Sequence, residues 1–160
     1  MTRIGITGHS NLSADSVPLV REALAGVVGR YGGGDLTGLS CLARGADQIF
    51  AEVVLEAGGR LEVVLPSADY REAKVGAHDR DRFDGLLMRS ALVRYMPHRT
   101  AGEQAYAAAN EAVLGSIDRL VAVWDGRPSG GKGGTGDAVE AARARGVPVD
   151  VVWPEGARRE

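Results

Sequence analysis

The densest chemistry-bearing cluster in this sequence is Gly130-Gly131-Lys132-Gly133-Gly134-Thr135-Gly136. With no Cβ in the way, the glycine N–H groups of such a run can turn toward one point. The run follows the apolar stretch Leu120–Trp124 and precedes a helix-like stretch from Asp137 to Arg145. A helix start adds N–H groups that lack intrahelical partners, together with the positive end of its dipole. Strand, glycine loop and helix therefore make an anion seat, and phosphate is the biological anion that suits it. In this reading Gly130, Gly131, Gly133 and Gly134 form the cradle and Lys132 neutralises charge. The Thr135 hydroxyl reaches a phosphate oxygen or caps the helix. Asp137 reads as a first-turn dipole partner, because a carboxylate beside a phosphate repels it.

Two other segments place polar residues at the ends of apolar runs: Thr7-Gly8-His9-Ser10, and Ser40-Cys41-Leu42-Ala43-Arg44-Gly45-Ala46-Asp47. Asp125 follows the run that leads into the glycine loop. Gly8 lets backbone or ligand pass closely over a strand end. His9 either contacts a ligand or is a hydrogen-bonded structural histidine. The Arg44 guanidinium suits a phosphate or ribose. Gly45 opens a helix, and Asp47 in its first turn caps it or contacts a ribose. With Ser40, these residues complete the candidate ligand-binding set, and no residue is assigned as catalytic. Trp124 stacks on a base or fills core, and Asn110 lies on a helix that could face the same site.

Several familiar patterns fail. Gly131–Gly136 satisfies G-x-G-x-x-G, but it follows the fifth strand-like run, and no acidic residue ends a strand about twenty positions later. Lys132 is followed by glycine, which breaks the Walker A spacing. His9, Ser10 and Asp125 form no nucleophilic triad, since no G-x-S-x-G elbow is present. The run His78–Asp84 alternates charge and reads as a solvated loop or a closing lid rather than a metal site. No metal and no cofactor is expected. Cys41 is the only cysteine, which excludes an internal disulfide and reads as a buried small residue.

The elements that must position these residues alternate. Short apolar runs at Ile4–Thr7, Leu36–Leu42, Leu61–Leu65, Ala91–Tyr95, Leu120–Trp124 and Val147–Val152 are nearly continuous, as in parallel strands covered on both faces. Between them, Val17, Val20, Leu24, Val27, Val28 and Tyr31 recur at helical spacing, as do Ile49, Val53, Val54 and Ala57, and then Ala105, Ala109, Val113 and Ile117. Ser13 reads as a helix N-cap. This alternation predicts an α/β fold, a Rossmann-like doubly wound and mainly parallel sheet of about six strands with helices on both faces. The expected strand order is 3-2-1-4-5-6. Ligands then bind beyond the carboxyl ends of the strands. Residues 67–83 are the least regular stretch, with charged Tyr70–Arg82 a mobile loop or a short helix, and Glu155–Glu160 reads as a frayed polar tail.

At 160 residues the chain fits one domain, residues 1–160. A net charge of −2 implies no general attraction to nucleic acid, which is therefore not an expected partner. No apolar stretch is long enough to span a membrane, and no signal-like segment precedes Arg3, so a cytoplasmic protein is expected.

The segments Gly5-Ile-Thr-Gly-His, Ser40-Cys-Leu-Ala-Arg-Gly-Ala-Asp, Val121-Ala-Val-Trp-Asp-Gly and Gly133-Gly-Thr-Gly-Asp together resemble the SLOG superfamily. That group unites the DNA-processing protein A (Smf) family, the LONELY GUY phosphoribohydrolases and nucleotide-sensing domains. Ser40–Asp47 is similar to the S-G-x-A-x-G-x-D of the DNA-processing family. The glycine loop is similar to the P-G-G-x-G-T-x-x-E of the LONELY GUY proteins, whose glutamate position is Ala138 here. The resemblance implies a Rossmann-like homo-oligomer that binds a phosphorylated nucleoside or nucleotide derivative. One alternative is a nucleoside monophosphate phosphoribohydrolase using Asp137 or Glu140 as a displaced carboxylate. The other is a non-catalytic interaction module.

Overall fold

The computed structural model describes residues 2–128 and 134–160. Six strands, β1 (Thr2–Gly8), β2 (Leu36–Ser40), β3 (Arg60–Leu65), β4 (Leu92–Tyr95), β5 (Arg119–Val123) and β6 (Val149–Val152), form one sheet. Every pairing is parallel. Among the described residues six α-helices connect them: α1 (Ser16–Arg30), α2 (Ala46–Glu56), α3 (Tyr70–Lys74), α4 (Arg80–Arg89), α5 (Glu103–Leu114) and α6 (Thr135–Ala144). The Rossmann-like α/β architecture expected from the alternating pattern is the one found. No helix among the described residues is long and apolar enough to cross a membrane.

Side-chain alternation along the strands divides the core between two faces. On one face Ile4, Ile6, Val121 and Val123 meet Val20, Leu24 and Val27 of α1 and Ile49 and Phe50 of α2. Farther along that face, Leu61, Val63 and Leu65 pack under Phe83 and Leu86 of α4. On the opposite face Leu39 and Val64 lie under Ala109 and Val113 of α5, and Leu120 packs with Ala142 of α6.

The strand order is β4-β3-β2-β1-β5-β6 rather than the expected 3-2-1-4-5-6. The reason lies in α4 and α5. Because α4 stays over β3, the fourth strand is laid at the outer edge of that strand, with Val63 opposite Val93. The long return crossing is then made by α5, which brings the fifth strand to the free side of β1. The change of direction thus falls between β1 and β5.

Two local expectations are also corrected, and one open alternative is decided. Of the loop and short-helix readings of Tyr70–Arg82, the helical one is found: the stretch contains α3, a 3-10 turn at Ala77–Asp79 and the start of α4. The first long helix begins at Ser16, and Ser13 is not its N-cap; instead the Ser13 and Ser16 hydroxyls pair at 2.7 Å. The tail is docked rather than frayed. Ser13 N donates to the Arg158 carbonyl at 2.9 Å, Glu160 N donates to the Asn11 carbonyl at 2.7 Å, and Leu12 bridges antiparallel to Arg159. A polar composition hid this docking, because most of the bonds are made by backbone.

Candidate functional site

β1 and β5 run side by side as far as Gly8 and Val123, where His9 N donates to the Val123 carbonyl at 3.1 Å. Beyond that point the two chains part, and a cleft of about 840 Å³ opens at the carboxyl edge of the sheet. This is where a doubly wound sheet leaves room for a ligand.

Close packing shapes the cleft's inner edge. A Cβ on Gly8 would stand 2.5 Å from Ala46 Cβ and 2.9 Å from Val123 Cβ, so only glycine lets α2 start against the end of β1. Gly45 has φ of +84°, and a Cβ there would meet the His9 carbonyl oxygen at 2.6 Å. Ala46 N donates to that same carbonyl at 3.3 Å. The two glycines together seat the N-terminus of α2 on the first strand.

The turn between β2 and α2 is held by its own polar side chains. Ser40 is fully buried; its hydroxyl oxygen accepts Leu42 N–H at 3.1 Å and donates to the Asp47 carbonyl at 3.0 Å. Leu42 adopts φ of +55°, uncommon for a residue with a Cβ. Its carbonyl accepts Gln48 Nε2 at 3.1 Å, while Ala43 N–H donates to Asp47 Oδ2 at 3.3 Å. Burial pushes the Asp47 carboxyl up to about 7, against the lowering effect of the Ala43 N–H. Burial, assisted by Asp47, also pushes the Cys41 thiol up, away from the reactive thiolate.

His9 is buried, and its Nε2 accepts the Asp125 N–H at 3.2 Å. The same Nε2 stands 3.3 Å from Asp125 Oδ1. Burial, with Arg159 nearby, holds its pKa below the usual histidine range despite Asp125. Trp153 meets the ring edge-on with centroids 5.6 Å apart. Burial alone would raise the Asp125 carboxyl, but the Arg127 N–H, His9 and Arg159 outweigh it and hold the group low. Asp125 Oδ2 accepts Arg159 Nε at 2.8 Å.

Of the residues singled out in the sequence, Gly8, His9, Arg44, Asp47, Gly134 and Thr135 line the cleft together. Arg44 is exposed, spends only its Nε on the Ser10 carbonyl at 3.3 Å, and has no carboxylate partner among the described residues. Thr135, buried, is the first residue of α6, whose N-terminus opens on the cleft. Ser40, Gly45 and Asp125 stand behind the wall, occupied by the contacts just described. Gly130, Gly131, Lys132 and Gly133 lie outside the described residues.

Sequence reasoning missed Gln48, Tyr70, Tyr106 and Arg159, all of which line the cleft. Gln48 directly follows the Ser40–Asp47 segment and was within reach of that motif. The two tyrosines come from α3 and α5, and only the strand order brings those helices to one place. Asn110 of α5 lines the cleft as well.

No protein-family model matches the chain, and no curated protein sequence does. Solved structures do match. DNA processing protein A from Streptococcus pneumoniae superposes with a TM-score of 0.70 at 16% identity, over 94% of this chain and 50% of that one. The Helicobacter pylori protein of the same name, described by its single-stranded DNA binding mode, gives 0.69 at 17% identity, over 94% of this chain and 64% of that one. The chain shares the Rossmann-like fold of these proteins. It spans half the length of the first of these proteins and under two thirds of the second. The molybdenum cofactor carrier protein of Chlamydomonas reinhardtii shares this fold with a TM-score of 0.60 at 18% identity, over 94% of this chain and 75% of that one. The motif resemblance is thus borne out at the level of fold.

Proposed function

We propose that this protein binds a phosphorylated nucleoside or nucleotide derivative in the cleft between the ends of β1 and β5. The observation that carries the reading is the meeting, in one cleft, of the α6 N-terminus with Gly134 and Thr135 and an Arg44 side chain that no described carboxylate neutralises. Helix amides and an unpaired guanidinium are complementary to phosphate. Gly130, Gly131, Lys132 and Gly133 extend the seat in this reading. Likeness to a protein named as a molybdenum cofactor carrier supports binding ahead of N-glycosidic hydrolysis.

A thermal-shift comparison of adenosine with AMP, GMP and ADP-ribose tests the reading. Ligand at a hundred times its Kd stabilises by about 2.7 kcal/mol, a rise in Tm of roughly 5 °C or more for a chain of this size. Phosphorylated compounds alone should give that rise, and Arg44→Ala should weaken their binding about tenfold or more. No shift with any of them at millimolar concentration would remove the proposal and leave the interaction module. Release of free base and ribose 5-phosphate would replace it with the phosphoribohydrolase.

The Helicobacter pylori neighbour, described by its single-stranded DNA binding mode, makes single-stranded DNA the competing ligand, so the panel includes a short oligonucleotide. Binding of the oligonucleotide with a steep salt dependence, and no response to mononucleotides, would favour it. Self-association belongs to the same proposal. It is supported by Met88, Leu92 and Tyr95, large apolar residues left exposed on or beside β4. Sedimentation of the wild type and of Tyr95→Glu should show a dimer lost on substitution; a monomer in both would exclude this surface.

A further inference from the structure

The deep end of the cleft differs from its phosphate end. Asp47 and Gln48 are consecutive residues in the first turn of α2, and both line the cleft. Each commits one polar atom to the turn before the helix, Asp47 Oδ2 to Ala43 N–H and Gln48 Nε2 to the Leu42 carbonyl. With the Asp47 carboxyl ionised, what they have left is of one kind, an acceptor oxygen. Gln48 Oε1 is fully buried with no hydrogen-bond partner among the described residues. Turning the amide round would set its oxygen against the Leu42 carbonyl, so the orphaned atom stays an acceptor. Asp47 Oδ1 likewise accepts no hydrogen bond from a described residue. A buried acceptor left unmatched is unfavourable unless something donates to it.

The surroundings of these acceptors suit a flat ring. Leu42 and Val75 are apolar and buried, and the Tyr70 and Tyr106 rings stand nearly perpendicular, 87° apart with centroids at 6.4 Å. All four line the same cleft. An aromatic and aliphatic wall with a few fixed polar atoms is the usual construction of a heterocycle pocket.

From this arrangement we infer that the deep end of the cleft selects a heterocycle whose edge carries two adjacent N–H donors, the 2-amino-4-oxo edge shared by guanine and by pterins. Adenine is the disfavoured alternative, because its edge pairs one donor with an acceptor, and that acceptor would face Asp47 or Gln48 unpaired. The inference rests on the nucleotide reading above and deepens it by naming the ring.

Calorimetric titration of the full chain at pH 8, where the Asp47 carboxyl is ionised, with GMP, IMP, AMP and a 6-hydroxymethylpterin phosphate decides it. IMP keeps the ring N–H and lacks the 2-amino group. GMP should bind about tenfold or more tighter than AMP, with IMP between them. Asp47→Asn keeps an oxygen for the Ala43 N–H and turns a donor toward the ligand, so it should abolish or reverse the preference. If that variant does not fold, the wild-type order is decisive by itself. AMP binding as tightly as GMP, or a preference unmoved in a folded Asp47→Asn, would overturn the inference. Equal binding of every phosphorylated compound would overturn it while leaving the phosphate seat standing, whereas no binding at all would remove both. Both donor-edged ligands should exceed AMP, and the tighter of the two identifies the source of the ring.

Discussion

Asp47 sits where its carboxyl holds a proton more easily than it does in water, with the pKa pushed from 3.8 to about 7 by burial. The folded state therefore keeps a proton that the unfolded chain has already lost across that window. Stability must fall as pH rises through it and level off above about 7, a loss of up to roughly 4 kcal/mol. His9 works the other way. Its pKa is lowered in the fold, so its contribution is present above the ordinary histidine range and is lost on acidification. Urea unfolding of wild type and Asp47→Asn at matched pH values cancels the His9 slope, since both proteins contain it. The difference between them should shift steadily toward the variant as pH rises; a constant difference would show that Asp47 is ionised throughout. Glycines give a second residue-scale test. Gly8→Ala should destabilise by about 1–3 kcal/mol through overpacking, and Gly45→Ala by a similar amount through its positive φ. Gly26 lies in α1 with nothing near a Cβ, so Gly26→Ala should instead stabilise by about 0.5–1 kcal/mol. Gly8 and Gly45 were legible as special from their place at strand and helix ends. Gln48 was not, because an orphaned amide oxygen is a property of its neighbours rather than of its own position in the sequence.

At the scale of elements, the strands and the longer helices could be read directly, because apolar runs and helical spacing are local signals. Their order could not. Whether the fourth strand lies outside β3 or beside β1 depends on which face α4 and α5 cover, and both helices carry apolar stripes that fit either face. Glu52 shows how helices on one face are then tied together. Its carboxylate accepts Arg82 Nε and Nη2 of α4 at 2.8 and 2.7 Å and Arg21 Nη2 of α1 at 2.6 Å. These side chains are partly exposed, which screens the pairs. Glu52→Gln should therefore cost only about 1 kcal/mol, and the difference should shrink in high salt. A larger loss that ignores salt would mean that packing around Glu52, and not its charge, joins the helices.

For the whole molecule, the carboxyl edge of the sheet was predictable as the place of the cleft, while the contribution of the tail was not. Arg159 reaches back to Asp125 and lines the cleft beside the first strand's end. Removal of residues 157–160 breaks that ion pair and the backbone bonds to Ser13 and Asn11. The expected result is a Tm lower by about 4 °C or more, with weaker binding of any cleft ligand; an unchanged Tm would mean that the docked tail adds nothing. The central place of β1 has a further consequence for how the molecule comes into being. Its pairing with β2 joins residues near one another in the chain, but its pairing with β5 must wait for Arg119–Val123. During synthesis the strands β1 to β4 can assemble first, leaving one edge of β1 open until α5 has emerged and crossed over. Such non-local closure slows folding and leaves a sticky edge exposed meanwhile. The cleft, which exists only where β1 and β5 part, is therefore among the last features to form.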